Sequence, residues 1–286
     1  MNHVKLALSP GIWFVGVPIG TARDITLRAL DVLASADVLV AEDTRSLRKL
    51  MDIHGVPLEG RRIEALHDHS GAGLVERLVA RAAGGESVAY ASEAGMPLIA
   101  DPGFELGRAA RAAGVAVTCA PGPSAVLTAL VVGGLPTDAF HFGGFLPNAR
   151  GARQTALRAF IGVQATLVLY ESPKRVGALL RDAAEVLGQD RPAVVCRELT
   201  KKFEEKRHGS LAELAGIYDG LSVKGEVVVL IGRREVEDIK ETDIESALES
   251  ALQDMSVKDA AAFVAETFGL PKRKIYQQAL DVARRN

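Results

Sequence analysis

This sequence contains few cysteines and few aromatic residues, and its net charge is close to zero. The two cysteines, Cys119 and Cys196, lie far apart and outside any Cys-x-x-Cys or Cys/His spacing, so neither a disulfide framework nor a zinc site is indicated. With 34 basic and 36 acidic residues, the net charge of −2 gives the chain no overall attraction to nucleic acid. Any RNA binding must therefore come from local basic patches, and a reducing cytoplasm is the compartment that fits best.

Long unbroken apolar runs are lacking as well. The apolar stretch 12–17 has neither the basic flank nor the small-residue cleavage site of a signal peptide. The uncharged run 114–136 approaches the length of a membrane span, but Pro121, Pro123 and several glycines would break such a helix. What is present is ordinary globular material: 286 residues, 48% hydrophobic, enough for a sizeable core.

Short apolar runs alternate with helical patterns along most of the chain. The predicted strands lie near 12–17, 37–41, 86–91, 115–119, 165–170, 191–196 and 226–231. Such alternation predicts an α/β fold with largely parallel sheets. The clearest helix is expected at 174–188, with Val176, Leu179 and Leu180 on its apolar face and Asp182 away from it.

Composition divides the chain into three parts. We predict an N-terminal α/β domain at 1–121, a second α/β domain at 122–234 after a rigid Pro-Gly-Pro turn, and a helical C-terminal module at 235–286. In the module, Ser256 and Asp259 resemble a capping box. Gly269 is expected to end that helix, and Pro271 is well placed to begin the next.

Turns that carry unusual residues follow the predicted strands of the first half. The first strand runs into V-P-I-G-T, where Pro18 and Gly20 permit a tight turn and close approach of a ligand to the backbone. No Gly-x-Gly-x-x-Gly fingerprint or P-loop follows, so a phosphate-bearing cofactor is not signalled. After the second strand comes A-E-D-T-R; Asp43 could simply cap a helix, or the cluster could face a ligand crevice.

Two further turns and three clusters of the second half complete the pattern. The turns are A-S-E-A-G-M-P with D-P-G shortly after it, and P-G-P-S-A, in which Ser124 begins a helix. The clusters are Y-E-S-P-K-R, R-E-L-T-K-K and K-G-E, at the ends of strands. Strand-end clusters in both halves predict one cleft between two domains.

Two other site chemistries find little support. A serine hydrolase would need a nucleophile elbow, and no G-x-S-x-G occurs. His67 and His69 flank Asp68, but neighbours in an extended segment point to opposite faces, so a metal site is not expected.

Taken together and in this order, the clusters resemble those of the ribosomal RNA small-subunit cytidine-2′-O-methyltransferase family, within the tetrapyrrole methylases. The resemblance covers residues 11 to about 232, and the tail from about 245 is similar to that family's helical module. It implies a class III methyltransferase fold: two α/β domains with S-adenosylmethionine in the cleft between them. It also implies a homodimer that methylates a cytidine ribose 2′-hydroxyl in 16S rRNA, in the decoding region of the small ribosomal subunit.

The resemblance also assigns residues to the cofactor pocket. They are Pro18, Gly20, Ser92, Glu93, Gly95, Met96, Ser124, Ala125 and Tyr170. Three positions depart from the family's usual pattern: Glu93 and Met96 stand where Asp and Thr are usual, and Lys174 stands where His is usual. The extra methylene of Glu93 moves its carboxylate by about a bond length, which matters where a ligand must be positioned closely.

Methyl transfer to a ribose hydroxyl depends on holding that hydroxyl aligned, and a base can assist because a neutral alcohol is a poor nucleophile. The candidate bases are the strand-end carboxylates Glu42, Asp43 and Glu198, with Glu171 as a further one, and spacing does not choose among them.

Cations beside the predicted cleft and in the tail are candidate RNA contacts. They are Arg45, Arg175, Arg197, Lys201, Lys272, Arg273 and Lys274. The three in the tail crowd the first turn of a helix, where the dipole disfavours cations; a solvated basic face explains them equally well. Two other functions stay open: a methyltransferase of the same fold acting on a precorrin-type tetrapyrrole, and a non-catalytic RNA-binding or assembly protein.

Overall fold

A computed structural model describes residues 3–67, 72–101, 103–221, 223–233, 241–253, 255–268 and 270–285. The chain divides into two compact units, 1–233 and 234–286. Among the described residues, the first contains two five-stranded sheets with helices on both faces, and the second contains three helices. Within these described ranges, no helix is long and apolar enough to cross a membrane.

The first sheet is parallel throughout, as the alternating pattern predicts. Its strands are β1 (Gly11–Val15), β2 (Val38–Ala41), β3 (Ile63–Ala65), β4 (Ser87–Ala91) and β5 (Val117–Ala120), in the order β3-β2-β4-β1-β5. Helices α1 (Leu27–Ser35) and α2 (Thr44–Ile53) cover one face; α3 (Ala72–Ala83) and α4 (Phe104–Ala112) cover the other. All five strands consequently end at the same edge.

The second sheet is mostly antiparallel, so the prediction of largely parallel sheets is wrong for this half. Its strands are β6 (Phe140–Phe145), β7 (Thr166–Glu171), β8 (Pro192–Arg197), β9 (Glu205–Ser210) and β10 (Val227–Ile231), in the order β6-β7-β10-β8-β9. Among these described strands, β6 and β7 alone pair in parallel; β10 runs antiparallel between β7 and β8. Residues 205–210 form a hairpin partner for β8 that alternation with helices does not reveal, and antiparallel strands need no helical crossover.

Four helices cover the second sheet. Helix α5 (Ala125–Gly133) packs on one face, while α6 (Arg150–Arg158), α7 (Val176–Leu187) and α8 (Leu211–Ile217) pack on the other. Helix α7 falls within the expected 174–188, and Val176, Leu179 and Leu180 are buried. Asp182 is also buried, contrary to its expected place off the apolar face, because the guanidinium of Arg153 lies against it.

The second unit consists of α9 (Glu241–Ala251), α10 (Val257–Phe268) and α11 (Lys272–Arg285), packed around an aliphatic core that includes Leu248, Val264 and Ile275. The hydroxyl of Ser256 accepts from the backbone N–H of Asp259, as a capping box requires. The return bond differs, because the Ser256 hydroxyl itself donates to the Asp259 carboxylate. Gly269 lies outside the described residues, and α11 begins directly after Pro271.

Candidate active site

The polar clusters of both halves meet at one cleft. In the first sheet, the turns after β1, β2, β4 and β5 emerge from the shared carboxyl edge, which is where ligand crevices form in open α/β sheets. In the second sheet, Glu171 at the end of β7 and Arg197 at the end of β8 are both in register with Val227, the first residue of β10. The antiparallel arrangement therefore still gathers the three second-half clusters at one edge.

Close backbone packing fixes the turns of the first half against each other. Val17 and Gly95 exchange two backbone hydrogen bonds of 2.9 and 3.1 Å. A Cβ on Gly16 would lie 2.7 Å from the backbone N of Gly122, so the turn after β1 touches the Pro-Gly-Pro turn directly. The Met96 sulfur accepts a hydrogen bond from the same Gly122 N–H at 3.2 Å. Met96 thus links two turns across a distance that the shorter side chain of threonine would not span in the same way.

Gly20 makes the corresponding contact with the second half. A Cβ at this position would lie 2.4 Å from the Thr200 hydroxyl and 2.8 Å from the Leu199 carbonyl oxygen. The backbone N–H of Thr21 donates to that hydroxyl at 3.3 Å. Glu198 and Thr200 both have positive φ, at 51° and 63°, which non-glycine residues rarely adopt. The R-E-L-T-K segment is therefore a tight bend that holds the two halves together at the cleft.

A cavity of about 340 Å³ opens in this cleft. From the first half it is lined by Ile19, the turn 94–96, Ile99, Ala100 and Asp101. From the second half it is lined by Ser124, Ala125, Phe145, residues 170–173 and residues 225–228. Its volume lies within the range of small-molecule sites.

The charged side chains of this lining are all acidic. Asp101, Glu171 and Glu226 contribute carboxylates, and the described part of the lining contains no lysine, arginine or histidine. The Glu171 carboxylate is buried; one oxygen contacts Arg175 and accepts from the N–H of Ser172, while the other has no hydrogen-bond partner. The lining is thus acidic in composition, although Arg175 and Lys201 offset the charges of Glu171 and Glu226.

Tyr170 forms the aromatic wall of the cavity. Its ring meets Phe142 and Phe145 edge-on, with centroids 4.9 and 5.5 Å away. Burial, with the nearby charge of Asp101, raises the pKa of Tyr170 to about 12. The phenol therefore keeps its proton at neutral pH and offers a hydroxyl at the start of α5.

The predicted cofactor residues divide between two cavities. Gly95, Met96, Ser124, Ala125 and Tyr170 line the cavity just described. Pro18, Gly20, Ser92 and Glu93 line a second, smaller one on the other side of the Val17–Gly95 bridge. Lys174 is exposed and belongs to neither lining. All nine assignments remain predictions.

The three candidate bases Glu42, Asp43 and Glu198 lie outside the cavity lining, and each has a structural partner. Glu42 accepts from the backbone N–H of Glu93 at 3.0 Å. Asp43 caps α2, and the N–H groups of Ser46 and Arg45 hold its pKa below the usual range. Lys201 donates to Glu198 at 2.8 Å and likewise lowers the pKa of that carboxyl. Groups whose pKa is lowered are weaker bases. The two backbone N–H groups that donate to Asp43 directly support its interpretation as a helix cap.

Most of the predicted RNA-binding cations of the cleft are already paired. Arg175 contacts Glu171, Arg197 contacts Glu205, and Lys201 contacts both Glu198 and Glu226. Arg45 differs, since its side chain is 91% exposed and is held by a 3.4 Å contact with Asp43. Lys272, Arg273 and Lys274 are exposed in the first turn of α11.

Sequence reasoning left Asp101, Phe145 and Glu226 out of the predicted site. Asp101 and Glu226 stand inside clusters that the sequence indicates, but a cluster alone does not show which of its side chains reaches the cavity. Phe145 is the last residue of β6, which is not among the predicted strands. Within the described chain, no group of three or more His, Cys, Asp or Glu side chains could hold a metal ion.

Comparison with family models and solved structures identifies the class of protein to which this fold belongs. Residues 11–215 match the family model of the Tetrapyrrole (Corrin/Porphyrin) Methylases, and residues 238–283 match the model of the RsmI C-terminal HTH domain. Solved structures of the class share the fold: the methyltransferase CobJ has a TM-score of 0.61 at 20% identity, over 79% of this chain and 95% of its own. Uroporphyrin-III C-methyltransferase from Thermus thermophilus, complexed with S-adenyl homocysteine, has a TM-score of 0.54 at 21% identity, over 78% and 97%. The chain is a methyltransferase of this class.

Curated relatives identify the family within this class. Ribosomal RNA small subunit methyltransferase I of Mesorhizobium japonicum is 44% identical over 96% of this chain and 93% of its own length. The proteins of the same name from Vibrio cholerae and Escherichia coli O157:H7 are 42% and 39% identical, over 96% and 94% of this chain and 95% and 94% of their own lengths. The chain belongs to the ribosomal RNA small subunit methyltransferase I family.

Proposed function

We propose that this protein transfers a methyl group from S-adenosylmethionine to the 2′-hydroxyl of a cytidine ribose in 16S rRNA, in the decoding region of the small ribosomal subunit. Support for the RNA substrate comes from the names of relatives that match nearly the whole chain. Support for the cofactor comes from the acidic cavity, together with the S-adenyl homocysteine complex of the Thermus thermophilus enzyme, which has the same fold. The cytoplasm, where ribosomal subunits are assembled, is the proposed location.

The residues of the larger cavity suit this cofactor. S-Adenosylmethionine supplies an electrophilic methyl group on a positively charged sulfonium. The aromatic walls at Phe145 and Tyr170 favour a cation, and the lining adds carboxylates, of which Glu171 and Glu226 are paired with Arg175 and Lys201. Ser124 and Ala125, at the start of α5, and the turn 94–96 would hold the rest of the molecule through backbone groups.

The chain's own contribution to catalysis is mainly positioning. The tight contacts of Gly16 with Gly122, and of Gly20 with Thr200, fix the turns that surround the cleft. Alignment of reacting groups can account for a large part of a rate enhancement. For the proton of the ribose hydroxyl, the geometry does not single out one carboxylate: Glu42, Asp43 and Glu198 have structural partners, and so do Glu171 and Glu226 on the cavity wall.

A homodimer is part of the proposal. Helix α5 consists of apolar residues apart from Thr128, and its Leu127 and Val131 are 55% and 82% exposed. Exposed apolar faces of this kind are typical of interfaces. Sedimentation equilibrium should give twice the chain mass of 30.3 kDa; a mass equal to one chain would refute the dimer.

The substrate is tested with labelled S-adenosylmethionine and small subunits that lack their native methylation, with naked 16S rRNA and a precorrin-type tetrapyrrole alongside. Label in a cytidine 2′-O-methyl product supports the proposal. Label only in the tetrapyrrole, or no transfer to any substrate, would refute it.

Cofactor placement has its own test. Phe145→Ala removes an aromatic wall at a 56% exposed position, so folding should be little affected. Loss of about 1 kcal/mol of aromatic contact corresponds to roughly fivefold weaker S-adenosylmethionine binding by calorimetry. Phe263→Ala, at a 53% exposed position in the C-terminal unit, is the matched control and should bind like the wild type. Equal affinities for the two variants would contradict the placement.

A further inference from the structure

The second cavity has a different composition from the first. It has a volume of about 230 Å³ and lies between the turn 17–22, helix α2 and the Ser92–Glu93 turn. Pro18, Leu50 and Ile53 give it apolar walls, while Ser46, Lys49 and Glu93 contribute polar groups. The backbone N–H of Glu93 anchors that turn by donating to the Glu42 carboxylate at 3.0 Å. Apolar walls with a few polar groups are suited to a ring system with exocyclic donors and acceptors.

Next to this cavity lies a shallow, open surface along α2, called the α2 groove below, whose described lining comes from α2 alone. Lys49 and Ile53 line both spaces. Three cations, Arg45, Arg48 and Lys49, and a single carboxylate, Asp52, stand along its described lining. The groove is therefore positive although the whole chain is slightly negative.

These cations are available to a ligand. Arg45 is 91% exposed, and the pair of Arg48 with Asp52 has side chains 53% and 59% exposed. An exposed pair of this kind contributes little stability and can exchange for a phosphate contact. The first N–H groups of α2 are taken by Asp43, so phosphates would be bound by side chains and not by the helix end.

The two cavities differ in the charge that they favour. The charged residues that line the larger are carboxylates, whereas the smaller adjoins the α2 groove with its three cations. We infer that the α2 groove binds phosphates of the substrate RNA strand and that the second cavity takes one of its nucleobases, with Glu93 accepting from an exocyclic amino group. This inference rests on the proposed function. Acceptance by a carboxylate from the N4 amino group is the usual protein contact to cytosine.

The groove is tested by Arg45→Ala/Arg48→Ala/Lys49→Ala in the full chain. Its control, Arg77→Ala/Arg108→Ala/Arg111→Ala, removes three exposed cations from α3 and α4, on the opposite face of the first sheet. Three lost phosphate contacts should reduce the slope of log affinity against log salt by about 2, since each counts for about 0.7 in single-stranded nucleic acid. We expect at least tenfold weaker binding of 16S rRNA at low salt for the groove variant and less than about twofold for the control. Equal losses in both variants would overturn the inference.

Glu93 separates a base-binding role from a cofactor-binding role. Glu93→Gln should leave S-adenosylmethionine affinity unchanged and raise the KM for the RNA substrate severalfold, because the amide is a weaker acceptor than a carboxylate. Weakened cofactor binding with an unchanged KM for RNA would return this cavity to the cofactor and refute the inference. Methyl transfer by the wild type is measured in parallel, so failure of the proposed function is seen separately from failure of these contacts.

Discussion

The contact between Gly16 and Gly122 gives a sharp test of how the cleft is built. In Gly16→Ala, the new Cβ would lie 2.7 and 2.8 Å from the N and Cα of Gly122 and 2.8 Å from the Met96 sulfur. Backbone atoms cannot rotate away as a side chain can. Overpacking of this kind costs about 1–3 kcal/mol. For a unit of this size, each kcal/mol lowers the melting temperature by roughly 2–4 °C, so we expect a decrease of about 2–12 °C.

Cofactor binding should change as well. Gly122 belongs to the turn that leads to Ser124, the N-cap of α5 and a residue of the larger cavity. If that turn moves, S-adenosylmethionine affinity should fall together with thermal stability. Calorimetry of unfolding and of binding on the same samples measures both.

A matched control has the opposite expected sign. Gly216 is exposed within α8, and nothing lies within 4 Å of a Cβ built on it. Gly216→Ala should therefore raise stability by up to about 1 kcal/mol, the usual gain from replacing glycine within a helix. Wild-type melting temperature and cofactor affinity in Gly16→Ala would show that the two turns are not in rigid contact.

Two predictions concern buried groups of the second half. Arg153→Met should lower the free energy of unfolding by about 2–3 kcal/mol in urea titrations, because it removes the buried partner of Asp182, whose side chain is 4% exposed, and leaves that carboxylate with Arg150 and Gln154. Arg150→Met removes a 66% exposed partner of the same carboxylate and should cost less than about 1 kcal/mol; similar losses would contradict the argument. Since the pKa of Tyr170 is raised to about 12 from an unfolded value near 10, the folded state holds that proton more tightly, and stability should fall between about pH 10 and 12. Tyr170→Phe should show a smaller fall over that interval, and an identical fall would place the buried titration elsewhere.

Much of the fold could be predicted from local pattern. Strands β1, β2 and β4 are short, largely buried apolar runs between helical segments, and this pattern specifies a parallel sheet. Strand β3 has three residues, and β9, with the sequence E-K-R-H-G-S, is polar. Both segments form strands because a neighbouring strand supplies their hydrogen bonds, and a local sequence pattern does not show which segment will be that neighbour.

Asp182 and Glu198 show where local reasoning stops. The sequence around Asp182 indicates a solvated carboxylate, and the sequence around Glu198 indicates a carboxylate at a strand end. In the structure, Asp182 is buried against Arg153, and Glu198 pairs with Lys201 within the bend. The partners lie 29 and 3 positions away in sequence. Lys201 is close to Glu198 in sequence, but it pairs with Glu198 within a bend that has positive φ at Glu198 and Thr200, and these residue types do not predict such a bend.

By itself, then, the sequence determined that turns with polar residues follow the strands of both halves, because strand ends and turn residues are local features. It also determined the family, through the order of those turns. Only the tertiary structure decided that the turns enclose two cavities, with carboxylates around one and cations along the groove that adjoins the other. That division depends on which cavity each side chain of a cluster lines. This is determined by contacts between segments that are distant in the chain.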